Sequence, residues 1–138
     1  MSENNRVKRL EFMQAIIARL SANSFMEKGW SITLVTAIIG FGVNAKNAAL
    51  IAIAGLPALL FWALDGYYLS LERAYRTQYA GVLEETDTAS LSLSLSDQTS
   101  RFKMWGRALR AAPVAILHGV LFLAAIIAAT LISRQGAN

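Results

Sequence analysis

The apolar positions of this chain gather into three unbroken blocks, at 29–45, 48–64 and 111–132, and each block is free of Asp, Glu, Lys and Arg. Each is at or near the length a helix needs to cross ~30 Å of hydrocarbon. Upstream of the first block, residues 5–22 repeat at helical spacing. Leu10, Met13, Ile17 and Leu20 share a face with Ile16 beside them, while Arg6, Lys8, Arg9 and Glu11 crowd the first turns. That is an amphipathic helix, resting either on a membrane or cytoplasmic partner or on the protein's own stem. Ser21-Ala22-Asn23-Ser24 reads as a break. Ser24-Phe25-Met26-Glu27 has the Ser-x-x-Glu form of a capping box, so the first membrane helix is expected to start there. Asn44-Ala45-Lys46-Asn47 makes a tight turn, which folds the first two blocks into an antiparallel hairpin. Pro57 removes one backbone hydrogen bond and is expected to kink the second block.

No breaker separates the second block from the charged stretch that follows it, so the helix is expected to leave the membrane as a stem running to about residue 85. Glu72 and Arg76 form an i,i+4 pair in the favourable order. Asp65, Tyr68, Glu72, Tyr75 and Tyr79 share one stripe, either a contact face for another subunit or a solvated face. Residues 86–100 are rich in Ser and Thr and read as a loop. Within it Leu91-Ser92-Leu93-Ser94-Leu95-Ser96 alternates with period 2, the pattern of a short strand or of a flexible low-complexity segment. Residues 101–110 are a second basic amphipathic stretch, with Lys103, Arg107 and Arg110 on one face and Phe102, Trp105 and Leu109 on another. Pro113 suits the first turn of the third block. Thr33, Ala37, Gly40 and Gly42, then Ala48, Ala52 and Gly55, then Ala124, Ala125, Ala128 and Ala129, supply small positions where helices can approach closely.

These elements define an all-α membrane protein. Residues 1–24 form a cytoplasmic amphipathic helix and 25–70 a transmembrane hairpin. Residues 71–112 form a cytoplasmic stem, a loop and an interfacial basic helix, and 113–138 a third transmembrane helix with a short outer tail. Charge sets the orientation. With the amino terminus inside, 11 of the 13 Lys and Arg fall on the cytoplasmic side and only Lys46 and Arg134 fall outside, so three spans run N-in, C-out. The 28 mostly polar residues ahead of the first block exceed a signal-peptide n-region, so no cleaved leader is expected. The net charge of +4 suits contact with anionic lipid, and direct nucleic-acid binding is not expected.

Two residues stand out chemically. Asp65 lies about 12 Å deeper along the helix than Arg73. A carboxylate there needs a partner, water or a proton. It either lines a pore or subunit interface, or sits as an interfacial acid satisfied by Tyr or Lys. His118, the only histidine, lies near the cytoplasmic end of the third block at a depth compatible with Asp65. The pair is a candidate pore or gating site, or a simple interhelical hydrogen bond. One histidine and no cysteine make no metal site, and no cofactor is expected. No Ser/His/Asp order, phosphate loop or paired acids is present, so no enzyme is expected. Lys28, Trp30, Trp62, Tyr67, Tyr68 and Trp105 are candidate membrane-interface anchors. Glu72, Arg73, Arg76, Arg107 and Arg110 are candidates for contact with a partner or signal.

Asn23-Ser24-Phe25, Lys28-Gly29-Trp30-Ser31-Ile32-Thr33-Leu34-Val35 and the run from Pro57 through Phe61-Trp62-Ala63-Leu64-Asp65-Gly66-Tyr67-Tyr68-Leu69 to Glu72-Arg73 resemble a family of small bacterial multi-span membrane proteins. The resemblance covers roughly residues 8–80, and its specific part is the Phe-Trp-x-Leu-Asp-Gly-Tyr block. It marks Lys28, Trp30, Trp62, Asp65, Gly66, Tyr67, Glu72 and Arg73. Such proteins are similar to the membrane effectors of anti-phage defence systems, which disrupt the inner membrane when a partner activates them. The resemblance implies an inner-membrane effector that forms a homo-oligomer and answers a cytoplasmic protein or nucleotide signal. The alternatives are a membrane anchor that recruits a cytoplasmic partner, and a holin-like lysis protein.

Overall fold

A computed structural model describes residues 3–84 and 98–136. Every regular element among them is helical: α1 Glu3–Asn44, α2 Ala48–Ile53, α3 Gly55–Leu83, α4 Gln98–Leu109 and α5 Ala112–Gln135. Of the segment read as loop or strand, residues 86–97 lie outside the described residues, and residues 98–100 are helical, the first turn of α4.

α1 departs from expectation. It is a single helix of 42 residues, about 63 Å long, and it passes through Ser21-Ala22-Asn23-Ser24 without a break. The capping box does not form. Ser24 is a buried residue inside the helix, and its hydroxyl reaches across to another helix instead of back to its own backbone. The buried positions of α1 explain the continuity. Met13, Leu20, Ser24, Ser31, Val35 and Gly42 advance by alternating sevens and fours. That is an eleven-residue repeat, about 3.67 residues per turn, so a nearly straight helix keeps one stripe turned inward along its whole length. Packing along the stripe overrides the weak local preference of Ser and Asn for a turn. Thr33 and Thr36 settle their hydroxyls on the carbonyls of Gly29 and Ile32 within the same helix.

α1 ends in a Schellman turn. The Asn47 amide donates to the Gly42 carbonyl and the Lys46 amide to Val43, with Lys46 in the left-handed region at φ 50. Asn47 then caps α2 by accepting from the Leu50 amide at 3.0 Å. Gly42 packs directly on Ile51 across this turn, and a Cβ there would strike the Ile51 side chain and approach its backbone nitrogen at 3.0 Å. Upstream of Pro57 there is a one-residue interruption at Ala54, between α2 and α3, where the backbone stays right-handed at φ −58 and ψ −22. Proline cannot donate to Ile53, and the helix resets just upstream.

α2 and α3 return antiparallel to α1, and α5 packs against all three. Near the hairpin tip, Val35, Ala54, Ala58, Leu121 and Ala125 form an apolar core flanked by Ile38, Ile39, Leu117 and Phe122. Of the small residues singled out on the third block, Ala125 enters this core, whereas Ala124 faces outward. Further along, Met13 and Leu20 of α1 and Val82 of α3 are buried, and the Arg6 guanidinium donates to the Leu83 carbonyl at 2.8 Å. The amino-terminal amphipathic half of α1 thus packs on the protein's own stem. α4 is fastened to α3 by two indoles: Trp62 donates to the Leu109 carbonyl and Trp105 to the Ala63 carbonyl, each at 3.0 Å. Gly66 lets Leu109 come close, since a Cβ there would lie 2.6 Å from its Cδ2.

Two helical stretches, Ala48–Leu83 and Ala112–Gln135, are long and apolar enough to cross a membrane. Only 22% and 11% of their most apolar windows is buried, which is unlike the core helix of a soluble protein. The first apolar block is not a helix of its own; it is the distal part of α1.

Candidate functional site

Below the apolar core, α1, α3 and α5 bring their polar residues to one point. Asp65 is fully buried there. Its Oδ1 accepts from the Lys28 ammonium at 2.6 Å and from the Ser24 hydroxyl at 2.6 Å. Lys28 also donates to the Ser24 Oγ at 2.8 Å, which closes a three-membered ring of hydrogen bonds. On the opposite side, Asp65 Oδ2 lies 3.3 Å from His118 Nε2, and His118 Nδ1 lies 3.4 Å from the Ser31 Oγ. A neutral imidazole with its proton on Nε2 satisfies both contacts: it donates to Asp65 and accepts from Ser31. His118 and Ser31 are also fully buried, whereas the Lys28 side chain keeps 22% of its surface exposed.

This set is electrically balanced. One ammonium meets one carboxylate, and every polar atom of the carboxylate has a partner. Charges removed from water are tolerated only when paired and hydrogen-bonded in this way. Glu27 brings a second acid to the edge of the cluster, partly buried and near the Asp65 carboxylate and the Lys28 ammonium. Its Oε2 is enclosed with no hydrogen-bond partner among the described residues.

The cluster sits at a particular level of the fold. From Lys28 to Asn44, from Asn47 to Asp65 and from His118 to Gln135, each helical path covers about 16–18 residues, roughly 24–27 Å. All three apolar stretches therefore start from the same plane, and the polar atoms mark it. On the tip side, the core around Val35 and Leu121 closes it off.

The sequence pairing of Asp65 with His118 is present in the structure. Sequence reading allowed a lysine partner for the acid without identifying Lys28, and it missed Ser24 and Ser31. Lys28 turns its ammonium to Asp65, and Ser24 and Ser31 serve the acid and the imidazole. The signal was available: Ser24, Lys28 and Ser31 recur at four and three residues, one face of a helix. Assigning Ser24 to a cap and Lys28 to the membrane interface hid it.

The remaining candidates lie elsewhere. Trp30 is exposed, and Trp62 and Trp105 hold α4 to α3. Tyr67 is exposed and meets Tyr68 edge to face with ring centroids 6.0 Å apart. Arg76 Nε donates to Glu72 Oε1 at 2.8 Å on the stem. Arg73, Arg107 and Arg110 are exposed. In the polar stripe, Asp65 is buried and Tyr68, Glu72, Tyr75 and Tyr79 are half-buried. Among the described residues, no group of three or more His, Cys, Asp or Glu is placed to hold a metal ion.

No protein-family model, no curated protein and no solved structure matches this chain.

Proposed function

We propose that this chain is a multi-pass protein of the bacterial inner membrane that acts as a non-enzymatic effector. It crosses the bilayer three times, N-in and C-out. It assembles with further copies and permeabilises the membrane on a cytoplasmic signal, in the manner of the anti-phage effectors that its Phe61–Tyr67 block resembles. The observation that carries this reading is the buried Lys28–Asp65–His118 cluster. It lies where three apolar paths of equal length begin, and an apolar layer closes it off from the tip. An ion pair in this position costs insertion free energy that an apolar trio would avoid. Its use is as a polar lining that becomes continuous only when the helices rearrange. A single copy encloses no path through the Val35–Leu121 layer, so opening requires assembly. The outward side of α1 offers a place for it: Thr33, Ala37 and Gly40 are exposed at helical spacing, and nothing lies within 4 Å of a Cβ built on Gly40.

A second reading, an anchor that recruits a soluble partner, is favoured by the stem. A shallow cleft there is lined by Glu11, Gln14 and Ile17 of α1 and by Arg76 and Tyr79 of α3.

Membrane potential, read with a voltage-sensitive dye after induced expression or phage challenge, separates the two. The effector depolarises cells, and Asp65→Asn and Gly40→Leu both abolish depolarisation while the proteins still fractionate with the membrane. Unchanged potential, with a soluble protein co-purifying through the stem, would establish the anchor instead.

A further inference from the structure

We infer that the groove between α3 and α4 is a binding site for one anionic phospholipid, an inference that rests on the membrane reading above. The groove has a volume of about 420 Å³, within the ~300–1,000 Å³ span of small-molecule sites. Leu60, Leu64 and Leu71 of α3 form one wall, and Phe102, Met104 and Trp105 of α4 form the other. These are surfaces for an acyl chain. Their spacing is held by the Trp62–Leu109 and Trp105–Ala63 hydrogen bonds and by the close approach of Leu109 to Gly66. The groove is therefore built by the fold, not opened by its ligand.

One cationic side chain lines it. Arg101 is half-buried and forms no hydrogen bond or ion pair with any described residue. Its guanidinium offers the planar, forked donor set that grips a phosphate oxygen pair. Tyr67 supplies a hydroxyl on the facing wall, whereas the Ser70 hydroxyl already donates to the Tyr67 carbonyl at 2.7 Å. Charge complementarity selects the lipid class. Among the described residues, Arg101 is the one charge in the lining and no acid lines the groove, which favours a net-negative headgroup over a zwitterionic one. Depth agrees as well: the α3 wall runs from Leu60 to Ala74 and straddles the level of Asp65, where the apolar paths begin and headgroups lie. The chemistry points to a phosphatidylglycerol-type lipid with its phosphodiester at Arg101 and one chain along the leucines. A lipid seated there braces α4 against α3 and so ties the cluster at Asp65 to membrane composition.

The test uses the full chain, purified in mild detergent and titrated with phosphatidylglycerol or phosphatidylcholine. Lipid retention is read by native mass spectrometry, and cell membranes are extracted with alkaline carbonate in parallel. Phosphatidylglycerol should be retained in 1:1 ratio about tenfold better than phosphatidylcholine. Arg101→Gln should erase the difference. Ala74→Leu, which fills the groove and keeps the charge, should lower retention of both lipids. Lys103→Gln, exposed and outside the groove, should leave selectivity intact. Equal retention of the two lipids, or selectivity that survives Arg101→Gln, overturns the lipid site while leaving the membrane reading in place. Release of the protein by carbonate overturns both.

Discussion

Asp65 serves three donors at once, Lys28, Ser24 and His118, from a position with no solvent access. Asp65→Ala leaves an ammonium, a hydroxyl and an imidazole without their acceptor, and should cost about 3 kcal/mol. The unfolding midpoint of the detergent-solubilised protein reads this loss. Replacing the whole set with Lys28→Met, Asp65→Leu and His118→Leu removes the orphaned charge along with its partners. The triple variant should therefore be at least as stable as Asp65→Ala alone, and the substitutions should be strongly non-additive. Glu27→Gln has the opposite sign. It removes a charge that partial burial and the Asp65 carboxylate both disfavour, at an oxygen that has no partner among the described residues, and should raise the unfolding midpoint. If Glu27→Gln proved as damaging as Asp65→Ala, the balance of charge described for the cluster would be wrong. Asp65 and His118 were legible in the sequence because each is a lone ionisable group in apolar surroundings. Ser24, Lys28 and Ser31 were not, because each has a common local role, as a cap, a headgroup anchor or a helix hydroxyl. Only a partner helix tells those roles apart.

Among the elements, the hairpin turn separates two backbone demands that a sequence pattern merges. Lys46 occupies the left-handed position of the Schellman turn, where an L side chain is strained. Lys46→Gly should stabilise the hairpin by about 1 kcal/mol. Gly42, four residues earlier, is right-handed and is needed for space, because Ile51 fills the volume its Cβ would take. Gly42→Ala should destabilise by about 1–3 kcal/mol. Chemical or thermal melts of the two variants, compared with the parent, should therefore move in opposite directions, and a common direction would contradict the turn geometry. The interruption at Ala54 was readable from Pro57, since a missing donor acts on the backbone locally. The continuity of α1 was not. The propensity of Ser21-Ala22-Asn23-Ser24 to turn is worth only fractions of a kcal/mol per residue. Burial of Leu20, Ser24 and Ser31 on one stripe outweighs it, and that stripe exists only because α3 and α5 lie alongside.

For the molecule as a whole, the proposed three-span arrangement puts the apolar paths in the membrane and leaves a stem that projects about 27 Å beyond them, from Asp65 to Leu83. A reporter inserted at Asn47 and another fused after Asn138 should both sit on the periplasmic side, and one at the amino terminus should sit in the cytoplasm. A cytoplasmic signal at Asn47 would mean that α1 and α2 do not cross, and would sink the three-span arrangement. Two of the three paths pass on length and apolar content alone. The third is the apolar end of a helix whose other half is charged, so composition cannot set its boundary. Membrane-compatible helices, the hairpin, the stem and the depth of Asp65 and His118 followed from the chain itself, because block length, turn residues and the 3.6-residue period act locally. Which side chains close around Asp65, how the amino-terminal half of α1 is used and where α4 docks depended on three helices meeting at one level. Those choices rest on contacts between residues up to 87 positions apart, such as Ser31 with His118, and no local pattern encodes them.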